Sequence, residues 1–497
     1  MTDYDLVDLA ERAADRHVVI VGAGVSGLVA AREMGRLGIR ATVLEASERA
    51  GGAIRSGEVA GLRVDLGAES YATRGGHVQK LVDDLGLSGE VVEPDHSAGG
   101  AWVAGVPGVG AAPLPKGGVL GIPANPFAED VRRVIGWSGS WRAYMDRLRP
   151  NLGIGHATSL GKLVRARMGS KVLDRLVAPV TSGVYSAVAD DIDPAIAAPG
   201  LNTALTRTGS LSGAVLEMQE QRKKAAPGGA VKGLRGGMGT LIEALAADVT
   251  ERGGEIRTGV AVTAITENED GGWLVATDQV ETDDEGTQTP LVFEADAVSV
   301  ATEEGPARRL LAPVIGSGLA AEPPTPGPAV AIVTLVVDLP ALDAAPRGTG
   351  VLTVPGSYTA KALTHASAKW AWIREQAAAG THVVRVSFGS IAENPATDGL
   401  SAKQQTELAR EQASKLLGVE IPAAAIRGSR LERFQQSQPA ATHGHREQTE
   451  KARAAIRAIP TIGAVGAWLS GTGLAQVVPD AAEETDRVRR AVLFDGK

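Results

Sequence analysis

Three glycines, Gly22, Gly24 and Gly27, stand in the order G-x-G-x-x-G directly behind the apolar run Val-Val-Ile-Val at 18–21. The first two positions permit a tight turn and let backbone approach a pyrophosphate, and the third lets a helix pack closely on a strand. Residues 17–45 therefore read as strand, turn, helix and strand, with Ser26 at a helix start that faces phosphate. Glu45 ends the second strand at the distance where a carboxylate accepts a ribose hydroxyl, which favours an adenosine ribose without a further phosphate. Ala46 beside it completes the candidate nucleotide contacts. Just beyond, EASERAGGAIRS brings Arg49, the doublet Gly51-Gly52 and Arg55, a second stretch poor in side chains that could touch the same ligand.

The remaining residue types narrow the chemistry by exclusion. With no cysteine among 497 residues, disulfides, thiolate metal ligands and a cysteinyl cofactor bond are excluded. Of eight histidines only His443 and His445 lie close together, in a polar stretch without Asp or Cys to complete a metal site, so no metal is expected. A net charge of −8 and the lack of a long Lys/Arg run argue against a nucleic-acid partner. Hydrophobic residues at 44% and charged residues at 22% suit a folded, water-soluble chain, and no run of about 20 apolar residues lacks Gly, Pro or charge. The opening 16 residues are acidic and do not read as a signal peptide, so a cytoplasmic location is expected, with peripheral membrane contact left open.

The elements that must position the cradle follow from periodicity. A length of 497 residues calls for two or three domains. Short alternating strands over 56–76 lead into a helix, HVQKLVDDLGL, with Val78, Leu81, Val82 and Leu85 on one face. Gly/Pro density rises between 100 and 127, where the chain is expected to leave the first domain. From Glu129 to about Met218 the pattern is helical, with Leu160, Leu163, Val164, Arg167 and Met168 at spacings of three and four. A helix and strands return at 236–301, strands dominate 328–390, and helices are expected near 401–417 and 446–458. The last segment, from IGAVGAWLSGTGLAQ onward, reads as strand, Gly turn and helix.

The cradle, Glu45 and the glycine doublet together resemble the glycine-doublet FAD oxidoreductases: amine oxidases, phytoene desaturases and porphyrinogen oxidases. The resemblance implies non-covalent FAD, with Gly52 and Arg55 along it, Val262 beside the adenine, and Gly471, Gly473, Leu474 and Val478 of the last turn, with Trp468, toward the flavin. A helix start placed there would stabilise negative charge developing on the ring. A flavoprotein that takes electrons from a pyridine nucleotide typically needs a second dinucleotide cradle, and none follows; an oxidase is expected. The implied fold class is α/β: a Rossmann-like FAD-binding domain (17–100, 231–310 and 426–497, behind an N-terminal extension at 1–16) with a mixed-sheet substrate domain (101–128 and 311–425) and a helical insertion (129–230).

Four further segments, in order, resemble the oxygen-dependent protoporphyrinogen and coproporphyrinogen oxidases of haem synthesis: DLGAESYATR, PLPKGGVLGIP, VLDRLVAPVTSGVYSA and THASAKWAWI. The first implies that Gly67, Ala68 and Glu69 lie beside the flavin and that Arg74 meets a substrate propionate, for which a planar guanidinium is suited. Lys369 and Tyr185 are further candidate substrate contacts, each set against a plain surface or core role, and Trp370 reads more readily as core. The implied reaction removes six electrons from a porphyrinogen by hydride transfer to FAD, each two-electron turn converting O₂ to H₂O₂, with no protein nucleophile required. The tetracarboxylate coproporphyrinogen III is favoured over protoporphyrinogen IX because the chain shows no hydrophobic anchor. A transient contact with the next haem-synthesis enzyme is left open, and oligomeric state is not given. Two alternatives stand beside this: an amine oxidase or desaturase on the same fold, and a non-catalytic nucleotide-binding protein. Two segments depart from the family pattern, LAQVVPDA near the C-terminus and FQQSQPAAT before His443.

Overall fold

The computed structural model describes residues 3–149, 158–225, 231–282, 288–320, 327–435 and 444–495. His443 lies outside them, as does most of FQQSQPAAT, and the side chains of Tyr185 and His445 are likewise not described. The cradle strand His17–Val21 is the centre of a five-stranded parallel sheet, in the order Glu255–Thr258, Arg40–Glu45, His17–Val21, Ala297–Val300, Ile462–Ala464. Such a sheet is covered on both faces, so its strands must be apolar throughout. Successive side chains obey this. Val18 and Ile20 enter a core built with Leu28, Met34, Leu241, Leu245 and Val488, while Val19 and Val21 enter a second with Ile265, Trp273 and Leu311.

The cradle helix Val25–Gly35 lies in the first of these cores with the C-terminal helix Leu474–Arg490 and the helix Gly239–Glu251. Its buried Arg32 is held by Asp248 at 3.0 Å and Glu33 at 3.2 Å, which gives the one charge in this seam its counter-charges. A small antiparallel sheet, Val262–Glu267, Trp273–Thr282 and Gln288–Ala295, branches beside the parallel one.

A seven-stranded mixed sheet forms the second layer, ordered Ile426–Gln435, Ala329–Asp338, Thr381–Phe388, Ala362–His365, Gly350–Thr353, Ala101–Val106, Gly110–Pro113. One face is covered by the helix Ala402–Leu417, whose Ala409, Ala413 and Leu416 meet Val333, Leu363, Val384 and Val386. The strand Ile426–Gln435 belongs here, pairing with Ala329–Asp338 from Gln435 opposite Ala329 to Ile426 opposite Val337. This corrects the expected segment boundary at 426. Its burial is mixed, and the neighbour at 329–337, apolar but for Thr334, supplies the pairing.

Between the first strands of the mixed sheet and the return to the cradle, the chain is helical, from Glu129–Tyr144 through Leu211–Ala225. Leu160, Val164, Arg167 and Met168 are all buried there, as their spacing requires, and Arg167 reaches the buried Asp146 at 3.0 Å. Asp146 in turn accepts the Ser212 N–H at the start of Leu211–Ala225, so a buried pair doubles as a helix cap. The sparse aromatics concentrate here: Trp141 and Tyr144 of Glu129–Tyr144 both pack on Phe127, at 5.0 and 5.4 Å between centroids.

Candidate active site at the glycine cradle

The cradle is one joined surface. Gly22 takes φ +105°, open only to a residue without Cβ, and a Cβ on Gly27 would fall 1.9 Å from the Gly22 carbonyl oxygen. The doublet folds against the first turn: the Gly51 N–H donates to the Ala23 carbonyl at 2.9 Å, and a Cβ on Gly52 would meet Gly24 Cα at 3.3 Å. At Gly24 the same construction meets nothing within 4 Å, so its outward side is space that protein does not fill. The helix that starts there has no side-chain cap, which leaves its first-turn N–H groups without a side-chain partner. Open space, uncapped amides and a helix start are what a pyrophosphate requires, so the residues fit a dinucleotide.

Glu45 has a second task beyond the one its position suggests. One oxygen accepts the Ala23 N–H at 2.8 Å and the other accepts Ser47 N–H at 2.9 Å and Ser47 O–H at 2.6 Å. The carboxylate thus ties the glycine turn to the end of its strand, while the oxygen that accepts Ala23 keeps a lone pair. Ser26 is buried in the first turn of the helix, and Ala46 is exposed beside Glu45. Nearby, the Glu303 carboxyl has its pKa raised by desolvation, against the lowering influence of Arg55.

The arginines on either side of the doublet both lean onto one carboxylate of the mixed sheet. Arg55 Nη1 meets Glu432 at 2.9 Å, Arg49 reaches it at 3.6 Å, and Arg55 also donates to the Gly52 carbonyl at 3.2 Å and lies over Phe434. Glu432 is a residue that sequence reasoning missed. It has no local motif, and its role depends on strand Ile426–Gln435 reaching back to the cradle.

At the other end of the segment, Glu69 is clasped by two cations. Lys369 Nζ lies 2.5 Å from one oxygen and Arg385 Nη1 2.6 Å from the other, and Arg385 Nη2 also donates to the Gly67 carbonyl. The two cations overcome desolvation and bring the Glu69 carboxyl down to about 2. Lys369, expected at the substrate, is instead paired with Glu69, and Arg385 was not anticipated at all. The neighbouring Asp65 shows the opposite balance: desolvation raises it to about 6, despite Arg385 and hydrogen bonds from Ser56 O–H and Met238 N–H. Those bonds explain the glycines of GLRGGMGTL. A Cβ on Gly237 would fall 2.6 Å from the Asp65 carboxylate, so that turn wraps an acid and opens the helix Gly239–Glu251.

The other expected contacts are dispersed. Gly67 is closed to a side chain, its Cβ falling 2.2 Å from the Ala53 carbonyl oxygen, and Ala68 donates its N–H to that same carbonyl. Val262 is half-buried at the start of its strand. Gly471 and Gly473, at φ +91° and +102°, bracket the turn before Leu474, as glycine at those angles must. Trp468 is buried with its indole N–H unpartnered and Arg308 stacked on its ring at 5.5 Å. Val478 is packed in the core shared with the cradle helix, where it braces the C-terminal helix and does not line an open site. Trp370 is core, as its lone aromatic character suggested. Arg74 is exposed in the turn ahead of the helix His77–Asp84 and makes no ion pair among the described residues. Among the described residues no group of three His, Cys, Asp or Glu could hold a metal, and no helix is long and apolar enough to cross a membrane.

The family model of the flavin containing amine oxidoreductases matches residues 25–484, and the chain belongs to that family. It is therefore a flavin-dependent oxidoreductase with FAD as cofactor. Membership sets aside a purely nucleotide-sensing role. Within the family, the chain is 26% identical to a coproporphyrinogen III oxidase of Propionibacterium freudenreichii subsp. freudenreichii, covering 97% of this chain and 92% of that one. It is 29% identical to that of Mycobacterium bovis (strain ATCC BAA-935 / AF2122/97), covering 96% and 98%. Among solved structures, a candidate protoporphyrinogen oxidase from Exiguobacterium sp. 255-15 superposes with a TM-score of 0.77 at 24% identity, covering 96% of this chain and 99% of that one. A putrescine oxidase gives 0.60 at 16%, covering 96% and 99%.

Proposed function

We propose that this chain oxidises coproporphyrinogen III to coproporphyrin III in haem synthesis, with three O₂ reduced to three H₂O₂ for the six electrons removed. The observation that carries this reading is end-to-end likeness to coproporphyrinogen III oxidases in a chain whose cradle accepts a dinucleotide. Bound FAD supplies acceptance of two electrons at a time and their return to oxygen. The protein's part is to hold and orient. Gly22, Gly24, Ser26 and Gly27 receive the pyrophosphate on uncapped amides, and Glu45 offers the free lone pair of its Ala23-facing oxygen to a ribose hydroxyl. Gly51, Gly52, Arg49 and Arg55 extend that surface, with both arginines leaning on Glu432, which also pairs with Arg430 and so leaves the group net positive. Glu69, Lys369 and Arg385 fix the segment at 67–69 against the mixed sheet without leaving net charge of their own beyond one cation.

The direct test is aerobic incubation of the FAD-loaded protein with coproporphyrinogen III and, separately, protoporphyrinogen IX, following porphyrin fluorescence and oxygen uptake. The tetracarboxylate is expected to react faster. No porphyrin above the protein-free control from either compound overturns the reading, and turnover of amines in its place would favour the amine-oxidase alternative.

Arg74, exposed and without a protein counter-charge, is proposed to meet a substrate carboxylate. Arg74→Ala is expected to raise KM for coproporphyrinogen III about tenfold, the weight of one charge-assisted hydrogen bond, with Tm unchanged because no protein contact is lost. An unchanged KM removes Arg74 from the site.

A further inference from the structure

Lys361, just ahead of the mixed-sheet strand Ala362–His365, has no carboxylate partner among the described residues. Its ammonium donates to one partner, the Ser186 hydroxyl, at 2.6 Å. An ammonium carries three donors and is rarely buried without an anion. Burial accordingly lowers this amine to about 8, with no charged group acting on it.

The location gives the amine a purpose. Ala360 and Leu363 belong to the core beneath the helix Ala402–Leu417. The Lys361 amine reaches the end of the helix Ala178–Tyr185, whose Gly183 abuts Leu352, the residue opposite Ala362. It therefore sits in the seam between the helical segment and the mixed sheet. Arg385, which holds Glu69 and the Gly67 carbonyl, stands opposite Thr364 on the neighbouring strand. Three residues along a strand separate Lys361 from that point, roughly 10 Å. Arg385 is thus already matched to Glu69, while Lys361, at the helical end, has no carboxylate partner among the described residues. Ser186 closes its helix at φ +54°, a position where glycine is the undemanding choice, and there its hydroxyl meets the amine.

We propose that Lys361 is a substrate-binding, specificity-determining residue that takes one carboxylate of the macrocycle at the helical end of the sheet face. This rests on the porphyrinogen reading above. An incoming carboxylate occupies donors that Ser186 leaves free and replaces the missing counter-charge, so charge in the substrate is matched by charge the fold leaves unpaired.

The test uses FAD-loaded wild type, Lys361→Met, Lys361→Gln and Lys361→Arg, measuring kcat and KM for coproporphyrinogen III and the Kd of coproporphyrin III by fluorescence titration. Met and Gln are expected to raise KM and Kd tenfold to a hundredfold with kcat within about twofold, and Arg to restore most of the binding. If Met does not fold, Gln, which keeps a hydrogen-bond donor for Ser186, gives the same comparison. KM and Kd unchanged in the neutral variants, with or without a drop in Tm, overturn the proposal and leave Lys361 a helix-end contact. Wild type that fails to oxidise either porphyrinogen overturns the functional reading itself; wild type that turns over while the variants bind normally overturns the Lys361 assignment alone.

Discussion

Gly24→Val is expected to give a folded protein that purifies without flavin. The argument is one of direction. Gly24 has φ −70° and ψ 176°, which any L-residue adopts, and a Cβ there touches no protein atom within 4 Å. A valine side chain is therefore no burden on the polypeptide and projects into the space the uncapped helix start faces. Gly27 is the contrasting case. A Cβ there falls 1.9 Å from the Gly22 carbonyl oxygen, so even alanine must part the helix from the turn, and Gly27→Ala is expected to lose stability as well as cofactor. Flavin absorbance after gel filtration and Tm with and without added FAD separate the two. Gly24→Val should lose affinity for FAD at least a hundredfold, and with it the rise in Tm that ligand binding gives wild type, about 2.7 kcal/mol at 100 times Kd. Flavin content equal to wild type would show that the open side of Gly24 is not where the cofactor lies.

What could be read from the sequence is what local geometry determines. The cradle needs glycine for reasons internal to a ten-residue stretch, and the run at 18–21 must be apolar because both faces of its sheet are covered. The helix spacing at 160–168 and the last strand, turn and helix were legible for the same reason. Charge pairing was not. Arg385 is 316 residues from Glu69, and Arg55 is 377 from Glu432, so neither partnership leaves a spacing to read. The strand at 426–435 alternates poorly in burial, and its place at the edge of the mixed sheet follows from the apolar strand beside it. The protein partners of Lys369 and Val478 were not legible either: Glu69 and the cradle helix come from distant sequence. Lys361 had no sequence signature either. A lysine is informative only once it is seen to lack an anion.

Arg385→Leu is expected to destabilise the protein by about 1.5–3 kcal/mol at neutral pH, the weight of charge-assisted hydrogen bonds lost while Lys369 still pairs with Glu69. The variant leaves Glu69 with Lys369 alone and takes a donor from the Gly67 carbonyl, in the segment proposed to lie along the cofactor. The pH dependence distinguishes charge from packing. Glu69 is brought down to about 2 in the folded protein from an ordinary 4.5, so its stabilisation is complete above about 4.5 and is lost as pH falls from there toward 2. Without Arg385 the carboxyl is depressed less, and the variant has less to lose over that window. Asp65 acts in the same direction higher up. Arg385 opposes the desolvation that holds Asp65 at about 6, so its removal raises that acid further and penalises the variant above about pH 6, where the wild-type acid is ionised in the folded protein. The stability gap between wild type and Arg385→Leu should therefore be widest above about pH 6 and narrow as pH falls, first through the Asp65 range and then through that of Glu69. Urea denaturation of the FAD-saturated proteins across that range measures it. Lys369→Met should behave alike, through Glu69 alone, because Lys369 pairs with that acid and not with Asp65. A gap that stays constant with pH would mean that Arg385 matters for the space it fills, and the charge cluster at 65–69 would lose its place in the account of how this segment is held.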